Sequence, residues 1–247
     1  MSGLSDVGDV GDVGDVGDAR TVLSLTHASV RFGGVQALSD CSLAIQAGER
    51  VALIGSNGSG KSTLLRTLHG LLPVASGRVQ AAPDARQAML FQRPHLLRTS
   101  VLNNVALGLW LRGQRWSVAA PKALAALQRV GLADLARCNA RALSVGQQQR
   151  VAMARAWACQ PRVLLLDEPT ASLDPAAKRD VEQLMAEFSR SGMTLIFSSH
   201  NLGQVKRLAS RVIYLERGVV VADLPTHDFF TGPLPPAAEQ FLKGELA

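Results

Sequence analysis

Gly55-Ser56-Asn57-Gly58-Ser59-Gly60-Lys61-Ser62-Thr63, GSNGSGKST, fits the spacing G-x-x-x-x-G-K-[ST] of a loop built to hold phosphate. Its glycines permit a turn so tight that successive N–H groups converge on one anion. Lys61 can then span two neighbouring phosphates, and the Ser62 hydroxyl is a hard oxygen ligand for Mg2+. The flanks agree with this. Arg50-Val51-Ala52-Leu53-Ile54 is the apolar run of a parallel strand buried on both faces, and Leu64-Leu65-Arg66-Thr67-Leu68 has helical composition. A helix starting there adds its positive N-terminal end to the anion site. Strand, loop and helix in this order predict an α/β fold, a phosphate-loop NTPase core with a mostly parallel sheet.

A second stretch, RVLLLDEPT from Arg162 to Thr170, is an apolar strand ending in two carboxylates. Ligands of parallel sheets gather at the carboxyl ends of the strands, so Asp167 and Glu168 are expected beside the phosphates. Asp167 suits the Mg2+ shell, and Glu168 suits polarisation of an attacking water, because phosphoryl transfer needs an oriented nucleophile and compensated charge.

These two elements specify an ATPase or GTPase and no more, since many functions share such a core. Further motifs narrow the choice. LSVGQQQR, Leu143 to Arg150, resembles the LSGGQ signature of ATP-binding cassette (ABC) ATPases, with Ser144 the 23 positions before Asp167 that the family requires. FQRP puts Gln92 at the Q-loop position, Ser172-Leu173-Asp174 is similar to the D-loop, and Ser198-Ser199-His200 ends at the switch histidine. Phe32, in RFGG, resembles the aromatic residue that stacks on adenine. The resemblance covers Phe32 to His200. It implies a catalytic set of Glu168, His200, Gln92 and Lys61, with ATP held by Phe32, by Gly55 to Thr63, and by Ser144, Gly146, Gln147 and Asp174. Ser62, Gln92 and Asp167 are implied at the Mg2+. Asp174 also reads as the N-cap of a helix beginning Pro175-Ala176-Ala177.

In this family two ATPase domains pair head to tail, each signature facing the γ-phosphate bound by the other copy. Val145 departs from the pattern, where a glycine is usual. A β-branched residue is nearly excluded from positive φ, so the change is harmless only where the backbone is helical or extended.

The 247 residues, 47% of them hydrophobic, suit one ATPase domain in two lobes. The core lobe is expected at about 19–91 and 161–247, with a helical lobe at about 92–160 containing helices at Val101 to Trp110 and Ala119 to Val130. An antiparallel β element is expected too, with short strands at Arg211 to Leu215 and Gly218 to Ala222, and a last helix at Pro236 to Lys243. No apolar run approaches the roughly 20 residues that span a bilayer, and no signal peptide is apparent. Cys41, Cys138 and Cys159 are odd in number and lack metal spacing, which favours reduced thiols. Residues 1–18 carry four Asp-Val-Gly repeats and five acids, and read as a disordered tail. Beyond them, 26 basic residues face 15 acidic ones, a net charge of +11.

The resemblance implies the ATPase subunit of a membrane transporter on the cytoplasmic face of the membrane, working with transmembrane permease subunits and, indirectly, an extracytoplasmic substrate-binding protein. Arg93 to Leu97 would lie near the groove that receives the permease. A chain with the ATPase separate from the permease fits an importer. Leu90 to Leu109 resembles ATPases of oxyanion importers for tungstate, molybdate or phosphate, with polar amino acids as second choice. Nucleic acid is not an expected partner, because the chain lacks the paired cassettes of ribosome-acting relatives and the coiled-coil insertion of the DNA-repair type. An ABC ATPase of a non-transport envelope or signalling complex is the alternative.

Overall fold

The computed structural model describes residues 20–246, so the Asp-Val-Gly tail expected at 1–18 lies outside the described residues. Two long antiparallel strands, β1 (Thr21–Phe32) and β2 (Val35–Gln46), come first, and β3 (Arg50–Ile54) leads into the glycine-rich loop and α1 (Lys61–Leu68). β4 (Ser76–Ala81) and β5 (Gln87–Leu90) follow, then a run of helices: α2 (Val101–Trp110), α3 (Trp116–Arg129) and α4 (Val145–Ala158). The chain then alternates through β6 (Val163–Leu166), α5 (Pro175–Arg190), β7 (Thr194–Ser198) and α6 (Leu202–Leu208). It ends with β8 (Arg211–Glu216), β9 (Val219–Pro225), α7 (Thr226–Thr231) and α8 (Pro236–Leu246).

The strands form two sheets. One is antiparallel, in the order β2-β1-β4; the other has six strands in the order β5-β6-β7-β3-β8-β9. Neighbours from β5 to β8 are parallel, and β9 alone runs antiparallel, against β8. This is the α/β architecture with a mostly parallel sheet and an antiparallel element that the sequence predicts.

Both faces of the six-stranded sheet are covered, and the side-chain alternation shows how. Val51 and Leu53, with Val163, Leu165, Ile196 and Ile213, pack toward α1 and the antiparallel sheet. Ala52 and Ile54, with Leu164, Leu166, Leu195, Phe197 and Val212, face the other way into a core shared with α2 to α5. Successive residues of a strand point to opposite faces, so burial on both sides demands the unbroken apolar runs seen in the sequence.

Helix α4 begins with a capping box. Ser144 accepts a hydrogen bond from the Gln147 N–H while the Gln147 side chain accepts from the Ser144 N–H. α5 is capped by Asp174, whose carboxylate accepts from the N–H groups of Ala176 and Ala177, with Pro175 in the first turn. α3 starts three residues before the predicted boundary because its N-cap, Arg115, makes no side-chain capping bond and so leaves no signal to read. β9 and α8 each run three residues past the predicted ends. The three cysteines are free thiols, and among the described residues no helix is long and apolar enough to cross a membrane.

Phe188 of α5 is fully buried, with its ring stacked on Trp157 at a centroid distance of 4.6 Å. Phe188→Ala should lower unfolding free energy by about 3–5 kcal/mol, read from the midpoint of equilibrium urea unfolding with an unchanged m-value.

The backbone N–H bonds of α5 hold the Asp174 carboxyl below its ordinary pKa of 3.8. A depressed folded-state pKa gives stability that is complete above the unfolded value and lost as pH falls through the folded one. Asp174→Ala should therefore have a lower Tm than wild type near neutral pH. The gap should close on acidification below the ordinary carboxylate range, as thermal melts across that window would reveal.

Candidate active site

The loop after β3 is forced into shape by its glycines. Gly60 sits at φ 107°, and a Cβ there would lie 2.8 Å from the Ala37 carbonyl oxygen, so this position tolerates no side chain. The following α1 carries Lys61, which is buried and donates from Nζ to the carbonyls of Gly55 (2.8 Å) and Ser56 (2.9 Å). Asn57 to Thr63 line one wall of a 570 Å³ cleft together with Val35, Gln36 and Ala37 of β2, and Gln92 and Glu168 lie on the same cleft.

The carboxyl end of β6 delivers the two acids as predicted. Asp167 is only 4% exposed, and its Oδ1 accepts from Ser62 Oγ at 2.8 Å and from Ser198 Oγ at 2.9 Å. Glu168 follows in the left-handed region at φ 46°, with its N–H donated to Ser198 Oγ at 2.9 Å. Such a conformation costs a non-glycine residue on the order of 1 kcal/mol or more and persists where surrounding bonds fix it. Its carboxylate has two neighbours. Gln92 Nε2 donates to Oε2 at 3.0 Å, and His200 Nε2 lies 2.8 Å from Oε1. The histidine approach is close yet off the ring N–H direction, so it is a contact rather than an aligned hydrogen bond. Glu168 also lines a second, 260 Å³ cleft with Ser199, His200 and Thr170.

The structure thus brings Lys61, Ser62, Gln92, Asp167, Glu168 and His200 to one edge of the sheet. It does not bring the signature there. Ser144, Gly146 and Gln147 form the first turn of α4, and none of them lines the 570 Å³ cleft. Val145 is the first helical residue, absent from the positive-φ positions, with an exposed side chain. A β-branched residue is therefore unstrained there. Gly146 is constrained instead by packing: a Cβ would lie 2.7 Å from Ala177 Cβ, so its absence lets α4 and the first turn of α5 meet. Asp174, capping α5, lies outside the cleft as well. Phe32 ends β1, half exposed and paired with Val35, and it is Val35 that lines the cleft.

Sequence reasoning missed several contributors. Ser198 links Asp167 and the Glu168 backbone, a role that its place in the Ser198-Ser199-His200 motif does not announce. Gln204, fully buried in α6, accepts from Ser199 Oγ at 2.6 Å and donates to Thr170 Oγ1 at 3.1 Å, bracing the segment around His200. No spacing rule marks a single glutamine. Arg217, at the β8–β9 turn, lines the cleft as well.

The residues present fit a nucleoside triphosphate and a divalent cation: a glycine-shaped loop that excludes side chains, a lysine on its carbonyls, and hydroxyl and carboxylate oxygens converging at Ser62 and Asp167. Comparison with known proteins agrees. The ABC transporter family model matches residues 38–171. The glutamate/aspartate import ATP-binding protein of Escherichia coli is 37% identical over 239 residues, covering 90% of this chain and 98% of that protein. The phosphonates import ATP-binding protein of Stutzerimonas stutzeri is 43% identical over 224 residues, covering 79% and 81%. Among solved structures, cbiO1 of Clostridium perfringens, part of the ABC transporter complex cbiONQ, has a TM-score of 0.76 at 28% identity, covering 92% of this chain and 94% of that one. A dimeric ATP-binding cassette bound to ADP and Pi in a post-hydrolysis state has a TM-score of 0.74 at 28% identity, covering 83% and 98%. The chain belongs to the ABC transporter family, as an ATP-binding, ATP-hydrolysing subunit.

Proposed function

We propose that two copies of this chain close head to tail around two ATP molecules and thereby drive a separate membrane permease that imports a small solute. The observation that carries this is a separation: the phosphate loop and Glu168 share one cleft, with Asp167 bonded to Ser62 beside it, while the signature turn at Ser144 and the D-loop cap at Asp174 stand outside it. A second copy would supply what the cleft lacks. In the pair, the Ser144 hydroxyl, the Gly146 N–H, Gln147 and Asp174 face the γ-phosphate bound by the other copy, at a helix N-terminus suited to an anion. The relative whose solved structure is a dimer bound to ADP and Pi supports such pairing.

At each site, the N–H groups of Gly55 to Thr63 and the Lys61 ammonium hold the β- and γ-phosphates, and Phe32, beside the cleft wall at Val35, stacks on adenine. Ser62, Asp167 and Gln92 hold Mg2+, which offsets phosphate charge when bound. Glu168 orients the attacking water and accepts its proton, and His200 steadies the γ-phosphate. The inserted helices of about 92–160 move as a lobe against the rest, with Arg93 to Leu97 near the permease groove. Closure and reopening rock the permease. On this reading the chain sits on the cytoplasmic face of the membrane, and an extracytoplasmic binding protein delivers the solute. The relatives' solutes, glutamate/aspartate and phosphonates, include a polar amino acid and an oxyanion. The solute itself touches the other subunits.

Glu168→Gln should cut ATP turnover about 100-fold or more while keeping nucleotide binding, and should accumulate an ATP-dependent dimer on size exclusion. Turnover equal to wild type would remove Glu168 from the role. Ser144→Arg should leave nucleotide binding by the monomer intact and abolish that dimer. Loss of monomer binding in this variant would instead place Ser144 within its own copy's cleft.

A further inference from the structure

The charge of this chain is distributed unevenly. Between Asp84 and Asp167 the sequence holds 12 basic residues and one acidic residue, Asp134, whereas the remainder of 19–247 is balanced at 14 of each. The whole +11 excess therefore belongs to the segment that contains α2, α3 and α4.

On that segment the turn joining α2 to α3 is unusual. Gly113 N–H bonds to the Trp110 carbonyl and Gln114 N–H to the Leu109 carbonyl, which folds 109–114 into a tight knuckle. It raises apolar side chains into solvent: Leu111 is 70% exposed, Trp110 52%, Val118 46% and Trp116 44%. Exposed apolar groups clustered on one turn mark a contact surface rather than ordinary surface scatter. Arg112 and Arg115 lie between the two tryptophans, and Arg112 and Gln114 border a 540 Å³ groove whose other walls carry Arg86, Lys122 and Arg129 and no carboxylate. Tryptophan flanked by arginine matches a membrane interface, where the amphipathic ring sits at headgroup depth and the guanidinium meets lipid phosphate.

We propose that the α2–α3 turn seats this chain directly on an anionic lipid surface, with Trp110, Leu111 and Trp116 entering the headgroup layer and Arg112, Arg115 and Lys122 above lipid phosphates. The large apolar side chains on and beside the turn are exposed, which suits a fluid interface that closes around them. The inference goes beyond the import function and does not require it, since the contact forms without nucleotide or permease.

The test is co-sedimentation of the nucleotide-free protein with vesicles of phosphatidylcholine alone or with a quarter of phosphatidylglycerol, followed also by tryptophan emission. Two of the three tryptophans flank the turn, Trp110 ending α2 and Trp116 opening α3, and Trp157 is stacked on Phe188. Sedimentation with the anionic vesicles only, a blue-shifted emission and release at about 1 M salt, where screening is short-ranged, are expected. Arg115→Gln should weaken partitioning about fivefold and Leu111→Asp more strongly, with the Tm and vesicle-free ATP turnover of wild type. No sedimentation with anionic vesicles would overturn the proposal and leave the turn as a protein-docking surface. Partitioning unchanged in both variants would overturn it too.

Discussion

A buried carboxylate ties the catalytic edge of this protein together. Asp167 ends β6, yet its Oδ1 is held by Ser62 at the start of α1 and by Ser198 at the end of β7. Burying an unpaired charge is costly, so the three segments are fixed relative to one another by the need to satisfy one oxygen. The phosphate loop, entering from β3 between β7 and β8, is thereby set against the acids of β6 across the intervening strand.

Glu168 inherits its position from that anchor. With Asp167 fixed, the chain leaves the strand through a left-handed residue whose N–H is taken by the same Ser198 hydroxyl, and the carboxylate emerges between Gln92 and His200. These side chains come from segments 76 and 32 residues away on either side. The strain is local and the bonds that offset it are long-range, the usual arrangement where backbone geometry is held for chemistry. Val145 shows the reverse case. A departure from the family pattern brings no backbone strain because it falls on the first helical residue, while the next position is closed to side chains by Ala177.

Within residues 19–247, charge is balanced outside 85–166 and in excess inside it. The helical segment is left cationic, while Asp167 and Glu168 lie just past its carboxyl-terminal limit. That asymmetry is visible only once the counts are mapped onto elements, because the overall net charge of +6 is diluted by the acidic N-terminal repeat.

The sequence by itself determined the phosphate loop, the strands around it, the paired acids of β6, the capping residue Asp174 and the family, because each is written in contiguous residues under a local rule. The boundaries of α3 and β9 escaped it, as did the register of β1 with β2 and β4, since these depend on packing and cross-strand pairing. Only the tertiary structure decided that Ser198 and Gln204 brace the site, that Gln92 and His200 flank one carboxylate, and that Val145 is helical. It also decided that the signature stands apart from the cleft. Such relations are distances between residues far apart in the chain, and they exist only once the parallel sheet has gathered its strand ends along one edge.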